Sequence, residues 1–266
     1  MKKSFFQGMR IAAILLTSMA LFIQGAGKTQ SQETKQYQIE KAKIFQEAYP
    51  LISESDLYCS FYIMGKEKPE MQIVGAERGD EKIMVSDADL VYINRGKNDG
   101  LEIGQMFLII ELGPSVSNYG TLALKRGRAR IVTLEDTRGE VKIEKICGQI
   151  MVGDYLVPFE EKEGLLGKDL GYEAPLEEGT GTTGNIIYLQ NELNQIGSGH
   201  WALIDLGFEN GIQVGQQMTI FRRVQKDASR QAIANLVVID TQPNTSTVKI
   251  LSCKEVVQLG AEVQTK

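Results

Sequence analysis

The sequence predicts an all-β protein: two tandem small β-barrel or sandwich domains after a signal peptide and a short helix. Three observations carry this. From Leu57 onward the chain consists of short runs rich in β-branched and aromatic residues, punctuated by Gly, Asn and Asp, which is the pattern of strands and turns. Runs this short at this spacing fit small barrels or sandwiches. A stretch of the chain, Leu90–Ile110, occurs a second time as Trp201–Phe221. The 266 residues, 42% apolar with only 6 Pro, allow one or two domains and exclude a disordered, collagen-like or multi-span membrane chain.

Residues 1–26 read as the signal peptide. Lys2, Lys3 and Arg10 precede the uncharged run Ile11–Ile23, and Gly25, Ala26 and Gly27 follow, the order of a secretory signal. The run has 13 residues, against roughly 20 for a helix that crosses a bilayer. Cleavage near Ala26 is therefore expected, and the membrane is met only through an uncleaved N-terminus. No Cys stands at this boundary, which argues against a lipid anchor. Cleavage removes three cations and no anions, taking the net charge from -5 to -8. A chain that acidic does not bind nucleic acid or anionic lipid through bulk charge. Residues 27–50 follow as a helical spacer, with Tyr37, Ile39, Ile44 and Phe45 among good helix formers and Pro50 as the stop.

The first β domain is expected over 51–158. Its candidate strands are Tyr58 to Met64, Gln72 to Ala76, Leu90 to Asn94, Met106 to Glu111, Arg128 to Leu134, Glu140 to Lys145 and Tyr155 to Pro158. A linker, 159–184, leads to the second domain, 185–266. There the candidates are Asn185 to Gln190, Trp201 to Asp205, Gln217 to Arg222, Ala232 to Ile239, Thr247 to Ser252 and Ala261 to Gln264.

The repeat runs at a constant offset of 111 and matches Gly96 with Gly207, Gly100 with Gly211 and Gly104 with Gly215. Downstream, Val141-Lys142-Ile143 recurs as Val248-Lys249-Ile250, so two copies of one β domain are the economical reading. The repeated glycines have the physics of a chain reversal. Gly96 or Gly207 leaves a strand, Asp99-Gly100 or Asn210-Gly211 tolerates positive φ, and Gly104 or Gly215 turns into the next strand. Leu101 with Ile103, and Ile212 with Val214, are expected to plug the barrel end from one face. The glycines thus read as structural turns ahead of a ligand loop.

Strings that look chemical dissolve. Gly179-Thr-Gly-Thr-Thr-Gly184 has the letters of a dinucleotide fingerprint, but a β run follows it where that motif opens a helix, so it reads as flexible linker. Gly27-Lys28-Thr29 has Phe22 where a phosphate loop needs its first Gly. His200 has no nucleophile elbow to serve, and Asn244-Thr245-Ser246 reads equally as a glycosylation acceptor or a tight turn. No catalytic, cofactor-binding or metal residue is assigned. Arg126, Arg128 and Arg130, spaced by two, share one face if extended. They form either a solvated face that protects a sheet edge or a docking stripe for an acidic partner or anionic envelope polymer. In an oxidising compartment Cys59, Cys147 and Cys253 are disulfide candidates, and their spacing leaves all three pairings open.

Asp89-Leu-Val-Tyr-Ile-Asn-Arg-Gly96 through Gly100-Leu-Glu-Ile-Gly-Gln-Met-Phe-Leu-Ile109, with Gly153-Asp-Tyr-Leu-Val-Pro158, carries a resemblance to a group of uncharacterised exported bacterial proteins. That group often bears a peptidoglycan-binding LysM module, and its repeats are similar to the C-terminal domain of flagellar assembly protein T. Leu57-Tyr-Cys-Ser60 and Gln242-Pro-Asn-Thr-Ser-Thr247 also resemble it. No LysM module precedes Leu57, so direct glycan binding is not carried over. The resemblance implies a Cys59 to Cys147 disulfide. In outline, an apolar N-terminus, a short helix and two β domains are also similar to the rod-shape-determining protein MreC, although the helix is short for that family's coiled coil.

These readings converge on an exported, periplasmic or extracellular, non-catalytic binding or assembly module of the cell envelope, possessing envelope protein partners and no cofactor, with a flagellar association implied by the first resemblance. The alternatives are an MreC-like cell-shape scaffold and an envelope hydrolase. A hydrolase needs converging carboxylates, and Asp99, Asp154 or Asp205 facing one another across a pocket would supply them.

Overall fold

The computed structural model describes residues 50–65, 67–77, 85–173, 176–223, 225 and 229–266. The expected signal peptide and helical spacer lie outside the described residues, apart from Pro50, which opens a strand. All described residues fall in one compact unit.

The protein is all-β, built around two six-strand assemblies with the same order. In the first, β3 (Ile73–Ala76), β4 (Leu90–Ile93), β5 (Met106–Val116), β6 (Gly120–Leu134), β7 (Gly139–Ile146) and β8 (Tyr155–Pro158) run in the order β3-β4-β7-β6-β5-β8. A Gln72–Tyr155 bridge brings β8 back beside β3. In the second, β10 (Thr183–Leu189), β12 (Trp201–Ile204), β13 (Gln217–Arg222), β14 (Gln231–Thr241), β15 (Ser246–Cys253) and β17 (Glu262–Thr265) close a barrel in the order β10-β12-β15-β14-β13-β17. Alternation places Val91, Ile93, Ile109, Ile131, Val141 and Ile143 in one core, and Ala202, Ile204, Ile220, Val238, Val248 and Ile250 in the other.

The two glycine turns have matching surroundings. Gly100 and Gly211 sit at φ 79° and 80°, and each ends a single 3-10 turn, Lys97–Asp99 or Phe208–Asn210. The amides of Gly96 and Gly207 each donate over 2.9 Å, to Asp99 Oδ2 and Asn210 Oδ1. Gly104 N donates to Ile131 O at 2.9 Å, and Gly215 N to Val238 O at 2.8 Å. The plug is a correction. Leu101 and Ile212 pack on the cores, but Ile103 and Val214 are 67% and 52% exposed. Strand alternation does not apply there, because Gln105 N bonds Glu102 O in a turn that holds Ile103 at its tip, and Gln216 N does the same with Gln213 O.

Around the barrels lie pieces the repeat lacks. The hairpin β5–β6 continues past the first barrel, where β2 (Phe61–Met64) pairs with its Thr121–Leu124 section. Tyr58 does not open this strand. It ends a short helix, Glu54–Tyr58, because Ser53 and Asp56 form a reciprocal capping box: Ser53 N donates to Asp56 Oδ2 at 2.8 Å and Asp56 N to Ser53 Oγ at 3.3 Å. Before it, β1 (Pro50–Ile52) pairs with β9 (Leu165–Leu166) of the connecting segment. That segment is tied to the second barrel. Gln217 Nε2 donates to Lys168 O at 2.8 Å, Gln264 Nε2 to Glu177 O at 3.1 Å and Thr182 N to Thr265 Oγ1 at 2.9 Å. Gly184, read as linker, already lies in β10.

Candidate functional site

The segment from β1 through β2 belongs in sequence to the first barrel, yet it packs on the outer wall of the second. Leu51, Ile52, Leu57 and Tyr58 form one buried cluster with Val237 and Ile239 of β14. Phe61 and Ile63 form another with Val116 and Leu122 of the long hairpin and with Tyr188 and Leu203 of the second barrel. The Phe61 and Tyr188 rings meet edge to face at 5.2 Å. Apolar residues on the outside of a barrel are thus accounted for by burial against the neighbouring unit.

Polar groups in this contact have partners across it. Asp56 Oδ1 accepts from Trp201 Nε1 at 2.9 Å, and Asp56 Oδ2 accepts from Lys249 Nζ at 2.6 Å. Thr247 Oγ1 donates to Phe61 O at 2.6 Å. Lys125, only 5% exposed, donates to Leu57 O at 2.7 Å, to Ser60 Oγ at 3.4 Å and to Asp240 Oδ2 at 3.0 Å. Burial favours the neutral form of Asp56, but hydrogen bonds from Lys249, Ser53 and Trp201 outweigh it and hold its pKa below the ordinary aspartate value. Burial pushes the Lys125 ammonium downward, with Asp240 opposing. Tyr62 is raised by burial and then by the nearby Asp240 charge.

A cleft of about 150 Å³ opens beside this ion pair. Its walls are Tyr58, Tyr62 and Phe159, its apolar base includes Leu108 and Val157, and Lys162, Asp240 and Gln242 contribute polar groups. Lys162 Nζ stands 3.6 Å from Asp240 Oδ1, while the backbone of Lys162 brackets Tyr58: the phenol donates to Lys162 O at 2.9 Å and accepts from Lys162 N at 2.5 Å. Sequence reasoning missed this site. Lys125 carries no motif of its own, and its partner Asp240 lies in the other copy. The capping-box spacing Ser53-x-x-Asp56 was the one readable signal.

Cys59 and Cys147 form a disulfide with Cα atoms 5.1 Å apart and a sequence separation of 88, joining the helix end to the end of β7. Cys253 is a free thiol whose Sγ lies 3.4 Å from Ser198 Oγ. Arg126, Arg128 and Arg130 lie on one strand, β6, in half-buried positions that alternate with buried Gly127, Ala129 and Ile131. Each guanidinium meets a carboxylate of its own chain: Arg126 with Glu111 at 2.5 Å, Arg128 with Glu54 at 3.0 Å and Arg130 with Glu144 at 2.5 Å. Arg128 also lies 5.9 Å from the ring centres of Tyr58 and Phe159.

Asp99 and Asp154 cap separate turns, and Asp205 ties the end of β12 to β10. Asp99 accepts from Gly96 N, Asp154 Oδ2 from Met151 N at 2.8 Å and Asp205 Oδ1 from Asn185 N at 2.5 Å. His200 places Nδ1 3.2 Å from Gly197 O. Thr245 and Ser246 of the glycosylation-like string are 3% and 1% exposed, with Gln242 N bonded to Thr245 O at 2.8 Å as in a tight turn.

Among the described residues no helix is long and apolar enough to cross a membrane, and no group of His, Cys, Asp and Glu gathers as a metal site. The disulfide is compatible with export. No protein-family model and no curated protein matches the chain.

Proposed function

We propose that the chain is an exported, non-catalytic binding or assembly module of the cell envelope. The observation that supports this most is the contact between the barrels. Charges that could have served chemistry, the buried Lys125, Asp240 and Asp56 and the half-buried Lys249, are engaged in clamping one barrel to the other. The carboxylates a hydrolase would need are engaged at separate places, Asp99 and Asp154 as turn caps and Asp205 with Asn185 of β10. A two-barrel body joined by buried ion pairs and stapled by a disulfide suits recognition, where fixed geometry lowers the entropic cost of binding. The resemblance to the flagellar assembly protein T C-terminal domain makes a flagellar role the first specific form of the proposal, and MreC-like shape control the second.

A deletion strain tests it together with cell fractionation. Export predicts a mature chain beginning near residue 27 outside the cytoplasm, and an intact chain recovered from the cytosol removes that part of the proposal. Loss of swimming with normal shape supports the flagellar form, and rounded cells support the MreC-like form. Purified protein that releases soluble fragments from isolated wall material would overturn the non-catalytic reading.

A further inference from the structure

The outer face of the second barrel carries a polar row that the barrel itself does not require. Thr219 of β13 lies between Gln264 of β17 and Asn235 of β14, and all three are at most 1% exposed. In the first barrel the same places hold Leu108, Val157 and Arg128, so the row belongs to the second copy alone. Val237 and Ile239 follow Asn235 on the same face of β14, where apolar residues of β1 and the helix seal them. The row is covered differently. Over it runs the connecting segment, in which no described residue from 168 to 180 is buried. Residues 168–171 are held through main-chain atoms and one carboxylate. Gln217 Nε2 donates to Lys168 O at 2.8 Å, and Gln217 Oε1 accepts from Leu170 N at 2.9 Å, so one side-chain amide pairs with the main chain much as a neighbouring strand would. Lys266 Nζ donates to Gly171 O, and Asn235 Nδ2 donates to Asp169 Oδ1 and, at 2.7 Å, to Gln217 Oε1. The Leu170 side chain faces away and is exposed. Thr219 Oγ1, Asn235 Oδ1 and Gln264 Oε1 are buried and have no hydrogen-bond partner among the described residues. Buried polar atoms are normally paired, so the segment completes this row only in part.

We propose that this face is a peptide-binding groove that reads the main chain of an extended segment carrying an aspartate, and that residues 168–171 occupy it in cis as a displaceable stand-in. The contacts engage main-chain amide and carbonyl groups and one carboxylate and leave the neighbouring side chain in solvent. Main-chain hydrogen bonds of this kind are how a strand-like peptide gains affinity. A face meant only for permanent cover would be sealed by apolar burial, as Val237 and Ile239 are. A segment with few buried apolar contacts opens at low free energy, which makes the groove accessible. The proposal rests on the binding-module reading and names the chemistry of its partner, an extended, aspartate-bearing peptide.

The test uses the full chain, isotope-labelled, and the hexapeptide acetyl-Lys-Asp-Leu-Gly-Tyr-Glu-amide, which copies residues 168–173, with NMR as the readout. Asp169→Ala combined with Gly171→Pro should release the built-in segment, because Gly171 has φ 68° and proline is fixed near about -65°. Every groove residue stays in place. In this variant the hexapeptide should shift the side-chain amide resonances of Gln217 and Asn235 saturably, and bind at least about tenfold more tightly than in the parent, where the attached segment competes. Alanine in place of the peptide's aspartate should weaken binding about tenfold, as for loss of a charge-assisted hydrogen bond. Gln217→Met added to the released variant should weaken it about fivefold or more. In the parent, hydrogen exchange at the Leu170 and Gly171 amides should be at least about a hundredfold faster than at Ile220 in the barrel wall, a measurement independent of how the variants fold. No saturable shift by about 20 mM peptide, equal binding by parent and released variant, indifference to the peptide's aspartate or to Gln217→Met, or exchange at Leu170 and Gly171 as slow as at Ile220 would overturn the proposal. Those results would leave the fractionation and deletion tests standing, because these read partners held by any surface of the molecule.

Discussion

A methyl group on Gly96 would run into the carbonyl oxygen of Glu135 and sit 2.7 Å from Arg138 N, and one on Gly207 would meet the carbonyls of Gln242 and Pro243. Both glycines have ordinary extended φ, so close approach of backbone alone requires them. Gly211 is the converse, with φ 80° and open space around it. Gly96→Ala and Gly207→Ala should each lose about 3 kcal/mol of stability through overpacking, and Gly211→Ala about 1 kcal/mol through its left-handed backbone, as read by denaturant unfolding. Asp56 supplies a pH test. Its folded pKa lies below the ordinary aspartate value, so as the pH falls the unfolded state binds its proton first. The stability it contributes is complete above that value and is lost as the pH falls through the folded pKa. The stability of the parent should fall more steeply than that of Asp56→Asn from about pH 4 downward. Parallel curves would show that Asp56 does not couple to folding.

At the scale of elements, the disulfide fastens the helix Glu54–Tyr58 to the end of β7. This helix and β2 are among the parts that touch the second barrel. Closing a loop with a separation of 88 residues stabilises by about 4 to 5 kcal/mol in the chain-entropy model. The Cys59→Ala, Cys147→Ala double variant should lose a comparable amount. Intact-mass analysis after alkylation provides the check on pairing: one modified thiol in the native protein and three after reduction and unfolding agree with it, and three in the native protein exclude it. The strands of the barrels were legible because alternation and turn glycines are local signals. Gln217–Arg222, expected from its β-branched and aromatic residues, is the observed β13 to the residue. β1 and β9 were not legible. They have three and two residues, too few for a period, and each is a strand only because the other lies beside it. β6 extends back to Gly120 in a hairpin with the adjacent β5, and only the pairing of its Thr121–Leu124 section with β2 comes from far along the chain.

For the molecule as a whole, the contact between barrels decides how it unfolds. Breaking a buried ion pair by removing one member leaves an uncompensated charge and typically costs about 3 to 5 kcal/mol. Lys125→Ala should therefore destabilise strongly by abandoning Asp240, whereas Lys125→Met with Asp240→Leu should come closer to the parent. Calorimetry of the parent should show one cooperative transition, because the barrels share buried clusters and ion pairs. Asp56→Ala combined with Trp201→Ala should divide it into two. A parent that already melts in two steps would mean that the barrels are coupled weakly.

The duplicated unit and the positions of its turns are decided by the sequence itself, because each depends on residues near one another in the chain: a glycine that leaves a strand, an Asp or Asn three positions on, and apolar residues alternating between them; the strand order is decided by pairings such as that of β4 with β7, which lie far apart in sequence. What those units do to each other was decided only in three dimensions. Lys125 and Asp240 are 115 positions apart, and Asp56 and Lys249 are 193 apart. A charge read alone looks solvated, and only the fold supplies the low-dielectric contact in which it needs a partner. The disulfide lies between the two cases: the cysteines were evident, but choosing Cys59 with Cys147 required either a resemblance or the path of the backbone that brings their Cα atoms to 5.1 Å.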